Sequence, residues 1–105
     1  MNESELKDLE PLVWQAIHGI NDPEFGIPVD DLGLIYDVSV RGQSVSVVMT
    51  LTTHHCPAGE IIVGGVKSAV ERVPGVSRAS VAIVWDPVWC PDMLSARARE
   101  MLGWR

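Results

Sequence analysis

Val45-Ser46-Val47-Val48-Met49-Thr50-Leu51 runs on through Thr52-Thr53-His54-His55-Cys56-Pro57 into Ala58-Gly59-Glu60-Ile61-Ile62, and the change of period along this stretch decides the fold. Val45, Val47, Met49 and Leu51 alternate with other residues, which is the mark of a strand with one buried face. Ile62, Val66, Ala69, Val70 and Val73 then recur at helical spacing. Pro57 is favoured at a first helical position, so Cys56 is predicted to be the N-cap of that helix. A thiolate there would face unpaired backbone N–H groups and the positive end of the helix dipole, both of which lower a thiol pKa. His54 and His55 add nitrogen donors beside it. A second reading stands equally open, in which Cys56 is a small hydrophobe of the core, as free cysteines often are.

Outward from this stretch, Leu34, Tyr36, Val38 and Val40 alternate with Ile35, Asp37 and Ser39, predicting a strand that faces the core on one side. Arg41-Gly42-Gln43 is a short turn, so this strand and the one leading to Cys56 form a hairpin. Upstream, Leu6, Leu9, Val13, Ala16, Ile17 and Ile20 keep helical spacing. Pro11 is tolerated only in a first turn, which predicts that the helix begins near Asp8. Asn21-Asp22-Pro23 ends it, and residues 21–33 read as a loop.

The long helix from Pro57 stops at Pro74-Gly75, and its Gly64-Gly65 pair suggests close packing against the sheet. A third strand spans Val76 to Trp85, with Ala79, Val81, Ile83 and Trp85 on one face. A last helix begins at Asp92 or Ser95, buries Leu94, Ala98, Met101 and Leu102, and ends on Gly103 as a left-handed cap. The predicted order is α-β-β-α-β-α, an α/β two-layer sandwich with a small sheet covered by helices, in a single domain over residues 1–105.

Composition narrows the function. A net charge of −6 on 105 residues, with no basic stripe, argues against nucleic acid as a partner. No apolar run approaches the roughly 20 residues of a membrane span. Met1-Asn2-Glu3-Ser4-Glu5 lacks the cationic and apolar stretches of a signal peptide, which points to the cytoplasm. Thiols stay reduced there, so Cys56 and Cys90 are expected to be free or metal-bound.

Cys56 and Cys90 lie 34 positions apart, which is no zinc-finger spacing. Each, however, follows the end of a strand. The helical crossover between those strands predicts that they run parallel and end at one sheet edge. Cys56, Cys90 and one of His54 or His55 would then supply soft or borderline ligands for iron, zinc or a cluster, with the two sulfurs expected within about 10 Å. The alternative leaves Cys90 as an ordinary loop residue. Asp22 and Glu24 are either acid–base and metal-binding groups or a solvated turn with an Asp cap. Trp85 and Trp89 either dock a partner or seal the core under the last helix. His18, off the apolar stripe, reads as a solvated or lightly packed side chain.

Asp22-Pro23-Glu24, Val29-Asp30-Asp31-Leu32-Gly33-Leu34-Ile35-Tyr36, Met49-Thr50-Leu51-Thr52-Thr53, Cys56-Pro57, Pro74-Gly75-Val76, Trp85-Asp86-Pro87-Val88-Trp89 and Ser95 through Gly103-Trp104 occur in one order along nearly the whole chain. Together they resemble the SufT/PaaD-like family of iron–sulfur protein maturation factors. The resemblance implies a fold akin to the C-terminal domain of NifU-type scaffolds. It implies a cytoplasmic factor, more a carrier than an enzyme, that holds an iron–sulfur cluster, or iron or zinc, transiently. Its partners would be the assembly machinery and client apoproteins, and a homodimer is open.

The family's site maps onto Asp22, Glu24, Thr52, Thr53 and Cys56. His54-His55 stand where relatives usually carry Pro-Gly, and Cys90 where they usually carry Thr; both departures add metal-ligand types. PaaD proper carries a cysteine-bearing extension after the domain, whereas this sequence stops at Arg105, which favours a general SufT-like role. The rival reading is a thiol enzyme, redox or hydrolytic, with Cys56 as nucleophile and a histidine as base.

Overall fold

A computed structural model describes residues 3–53 and 58–103. Helix α1 (Glu3–His18) is followed by two short strands, β1 (Asn21–Asp22) and β2 (Ile27–Pro28). Then come β3 (Ile35–Arg41), β4 (Ser44–Met49), α2 (Gly59–Glu71), β5 (Arg78–Ile83), a 3₁₀ turn at Pro91–Met93 and α3 (Ala96–Leu102). The predicted α-β-β-α-β-α order holds, with β1 and β2 added as a small antiparallel pair inside what reads from sequence as plain loop.

The main sheet has the order β3-β4-β5. β3 and β4 are antiparallel, joined through Gly42, whose φ of 62° a two-residue hairpin loop requires. β4 and β5 are parallel, with Met49 opposite Ile83, as the helical crossover predicts. α1 packs on α2 and β3, and α2 packs on β5, so the two long helices cover the sheet.

Leu9, Val13 and Ile17 recur every four residues and are buried, fixing the inward stripe of α1. Val13 and Ile17 meet Ile62, Val66 and Val70 of α2 and Val38, Val45, Val47 and Met49 of the sheet in one core. Each fully buried aliphatic side chain contributes about 1.5–3 kcal/mol. That sum explains one correction. The first helix starts at Glu3, not near Asp8, which puts Pro11 in its interior. Pro11 is exposed, and the roughly 3 kcal/mol cost of an interior proline is outweighed by the buried stripe on either side of it.

Four other expectations change. A bulge between Ile35 and Asp37 breaks the alternation of β3, so Ile35 packs on the core while Tyr36 reaches toward the segment after β5. α2 has Ala58 as its N-cap, with no side-chain capping bond, so the cap is not Cys56; Cys56 and Pro57 lie outside the described residues. Gly64 faces open space and Gly65 lies against Ile20, so the glycine pair is not a contact with the sheet. Met101 is 54% exposed because α3 turns Ala98 inward, in register with Leu94 and Leu102, and Met101 is off that line. Ser95 caps α3 by accepting from the Ala98 N–H, and Gly103 ends it at φ 73°.

Candidate functional site

The parallel pairing of β4 and β5 brings their C-terminal ends to one edge of the sheet, where antiparallel β3 begins. Thr50 N–H donates to Leu34 at 2.8 Å, and Val84 N–H donates to Met49 at 2.9 Å, extending the ladder past the strands. The loop after β5 is stitched to the turn before β3. Trp89 Nε1 donates to the Leu32 carbonyl at 2.6 Å, and Ser95 N–H donates to Asp31 at 2.8 Å. Met49, Thr50 and Leu51 are all buried in succession. Neighbours on an extended chain point to opposite faces, so both faces are covered at this edge.

Cys90 lies here as a free, half-buried cysteine in extended backbone ahead of the 3₁₀ turn. The expectation that the loops after β4 and β5 share an edge holds in the topology. His54, His55 and Cys56 lie outside the described residues, and with them the expected approach of the two sulfurs. Of the supporting residues, Thr52 is half-buried and Thr53 exposed at the end of the described part of β4's extension.

Two residues join this edge that sequence reading did not select. The Tyr36 hydroxyl donates to the Pro87 carbonyl at 2.7 Å and approaches Met93 Sδ at 3.5 Å. Burial pushes the Tyr36 phenol above its ordinary 10.0; the neighbouring Thr50 hydroxyl pulls it partly back, and the charges of Cys90 and Asp86 push it up again. Thr50 is fully buried, and its Oγ1 stands by the phenol without the alignment of a hydrogen bond to any partner. A threonine inside an apolar strand reads as simple strand propensity, so only the unbroken burial of three consecutive residues identifies it.

The acidic loop divides in two. Asp22 is 2% exposed, and its Oδ1 accepts from the N–H groups of Glu24 at 2.7 Å and Phe25 at 3.3 Å. Asp22 is therefore a buried turn cap, while Glu24 beside it is exposed. Further along, Asp30 and Asp31 meet His18 from the end of α1, with His18 Nδ1 2.9 Å from Asp30 Oδ2 and 3.9 Å from Asp31 Oδ2. His18 is thus paired and not merely solvated, a contact across twelve residues with no local signal.

An apolar groove of about 470 Å³ opens beside the start of α2, lined by Leu51, Val63, Ile83 and Trp85 with Glu60 at its rim. Trp85 lines this groove; Trp85 and Trp89 both pack against the core, and the indole N–H of Trp89 donates to Leu32. Among the described residues, no helix is long and apolar enough to cross a membrane.

Residues 11–83 match a protein family described as iron–sulfur cluster assembly protein. The chain belongs to this family. It is 43% identical over 83 residues to the Fe-S protein maturation auxiliary factor SufT of Staphylococcus aureus, covering 78% of this chain and 94% of that protein. It is 39% identical over 104 residues to an Fe-S protein maturation auxiliary factor of Porphyromonas gingivalis, covering 98% of each. Among solved structures, a domain of unknown function, DUF59, from Bacillus anthracis superposes with a TM-score of 0.90 at 32% identity, covering 99% of this chain and all of that one. The SufT-like resemblance drawn from the motifs is thereby established.

Proposed function

We propose that this chain is an iron–sulfur maturation factor of the cytoplasm that takes up a cluster from the assembly machinery and delivers it to client apoproteins, with Cys56 as the reactive or ligating residue. The observation that carries the reading is the sheet edge itself. In a chain of this family, the strand that leads to Cys56 and the strand that leads to Cys90 end side by side, and Cys90 is a free thiol. Cys90, His54 and His55 are the further donors of this reading. Glu24, Thr52 and Thr53 are its polar surround, and Asp22 holds the acidic turn in shape. Trp85, on the apolar groove beside the edge, is the docking residue for a partner. Cluster binding here is transient by design, since two thiolates with borderline nitrogen donors leave positions open for transfer.

The test is anaerobic reconstitution with ferrous iron and sulfide, followed by transfer to an apo client. The wild-type chain is expected to show cluster absorption and to restore client activity; Cys56→Ser is expected to lose both while its circular dichroism stays unchanged. Cys90→Ala is expected to bind but release the cluster faster. A Cys56→Ser chain that still restores the client overturns the reading, and so does turnover of a substrate by the metal-free chain.

A further inference from the structure

We propose that His18, Asp30 and Asp31 form a binding site for a divalent first-row transition cation, separate from the thiol edge and joining the end of α1 to the turn before β3. One ring nitrogen of His18 and one carboxylate oxygen each of Asp30 and Asp31 all lie within 4.8 Å of one another. His18 Nδ1 is 3.0 and 2.9 Å from the two Asp30 oxygens and 3.9 Å from Asp31 Oδ2. Around one ion with bonds of about 2.1 Å, neighbouring donors sit about 3 Å apart and opposite ones about 4.2 Å. The two separations from His18 Nδ1, 2.9 and 3.9 Å, fall in that range, and small side-chain rotations place the three donors around a common centre.

The charge balance points the same way. Asp31 Oδ1 accepts from Ser95 Oγ at 3.0 Å, but Asp31 Oδ2 is buried and has no hydrogen-bond partner. An orphaned buried oxygen of this kind costs about 1–3 kcal/mol, and more when it carries charge. Among the described residues, neither Asp30 nor Asp31 pairs with a lysine or arginine. Two carboxylates with a single imidazole leave the cluster negative whether or not that imidazole is protonated. The C-terminal end of α1 adds its own negative pole at His18.

The side chains are 42%, 23% and 15% exposed for His18, Asp30 and Asp31. An ion can therefore enter from the His18 side and keep water on its remaining positions. Two oxygens and one nitrogen, without sulfur, suit manganese, iron(II), cobalt or zinc better than a soft ion. On binding, Nδ1 gives its lone pair to the metal and the ring keeps its proton on Nε2, so a neutral imidazole changes tautomer and an imidazolium releases one proton to the buffer.

The experiment titrates the full chain with Mn²⁺, which disfavours thiolates, and follows the imidazole resonances of its three histidines. Saturable binding at one ion per chain is expected, with the His18 signals broadened first. His18→Ala and Asp30→Asn are each expected to weaken it about tenfold or more. Two substitutions on separate elements keep the test decisive if one of them does not fold. A Cys56→Ser, Cys90→Ser chain is expected to bind Mn²⁺ unchanged, so the outcome is independent of the cluster reading above. No saturable binding, broadening centred on His54 or His55, or wild-type affinity in both single variants overturns the proposal.

Discussion

Two acidic pairs stand eight residues apart in one loop, and they behave differently because of what their oxygens have left to do. Asp22 turns inward and caps the backbone of Glu24 and Phe25, while Glu24 stays in solvent with no structural task. Asp30 and Asp31 sit in a turn pinned to the segment after β5 through Ser95, and one Asp31 oxygen is buried without a hydrogen bond, 3.9 Å from the His18 ring. A carboxylate spent on backbone N–H groups holds shape. One that is held in place with an oxygen to spare can hold something else. The difference is set by which neighbours reach each oxygen, which residue type alone does not reveal.

That contrast breaks most sharply at Gly33, in the turn that carries the second pair. Its φ is +77°, and a Cβ there would lie 2.7 Å from Met93 Cβ and closer still to the Met93 backbone. Gly33→Ala is expected to cost about 3 kcal/mol or more, combining left-handed strain with overpacking, and to lower Tm by more than about 10 °C. A thermal melt within a few degrees of wild type would mean that this turn is not the rigid member of the two. Asp22→Ala comes next, at about 1–3 kcal/mol, because it strands two N–H groups at a buried site. Glu24→Ala is the matched control and is expected to stay within about 0.5 kcal/mol. Denaturant titration of both reads the difference directly, and equal costs would erase the division drawn above.

Much of the fold was legible because it rests on period. Alternation from Val45 to Leu51 followed by helical spacing from Ile62 to Val73 predicts a parallel return, and β4 and β5 are parallel. Local exceptions were not legible. Nothing in Tyr36 announces the bulge ahead of Asp37, and helix propensity argues against a helix running through Pro11 until the buried stripe is weighed. At the edge, the likeness of motifs brought Asp22, Glu24, Thr52, Thr53 and Cys56 into view. It could not show that Asp22 is spent on its own turn or that Trp89 is tied to Leu32. His18 reads as solvated or lightly packed from the sequence because its partners are twelve and thirteen residues away, joined only when α1 and the following loop fold back together.

Tyr36 is the single tyrosine of the chain, and that makes it an optical indicator built into the thiol edge. Its phenolate absorbs where the four tryptophans do not titrate, so an alkaline spectrophotometric titration reports one group at one place. Burial first, then the Cys90 and Asp86 charges, hold the neutral phenol beyond pH 10.0 in the folded chain. The unfolded chain ionises first. The stability this contributes is therefore whole below about pH 10 and is lost as pH rises through the folded value. Cys90→Ser removes one of the negative charges and is expected to move the midpoint down toward 10.0. A midpoint that ignores the substitution would place the thiol out of electrostatic reach of the ring. Any cargo that neutralises Cys90 should move the same midpoint in the same direction, so the occupancy of this edge could be read as a colour change without a label.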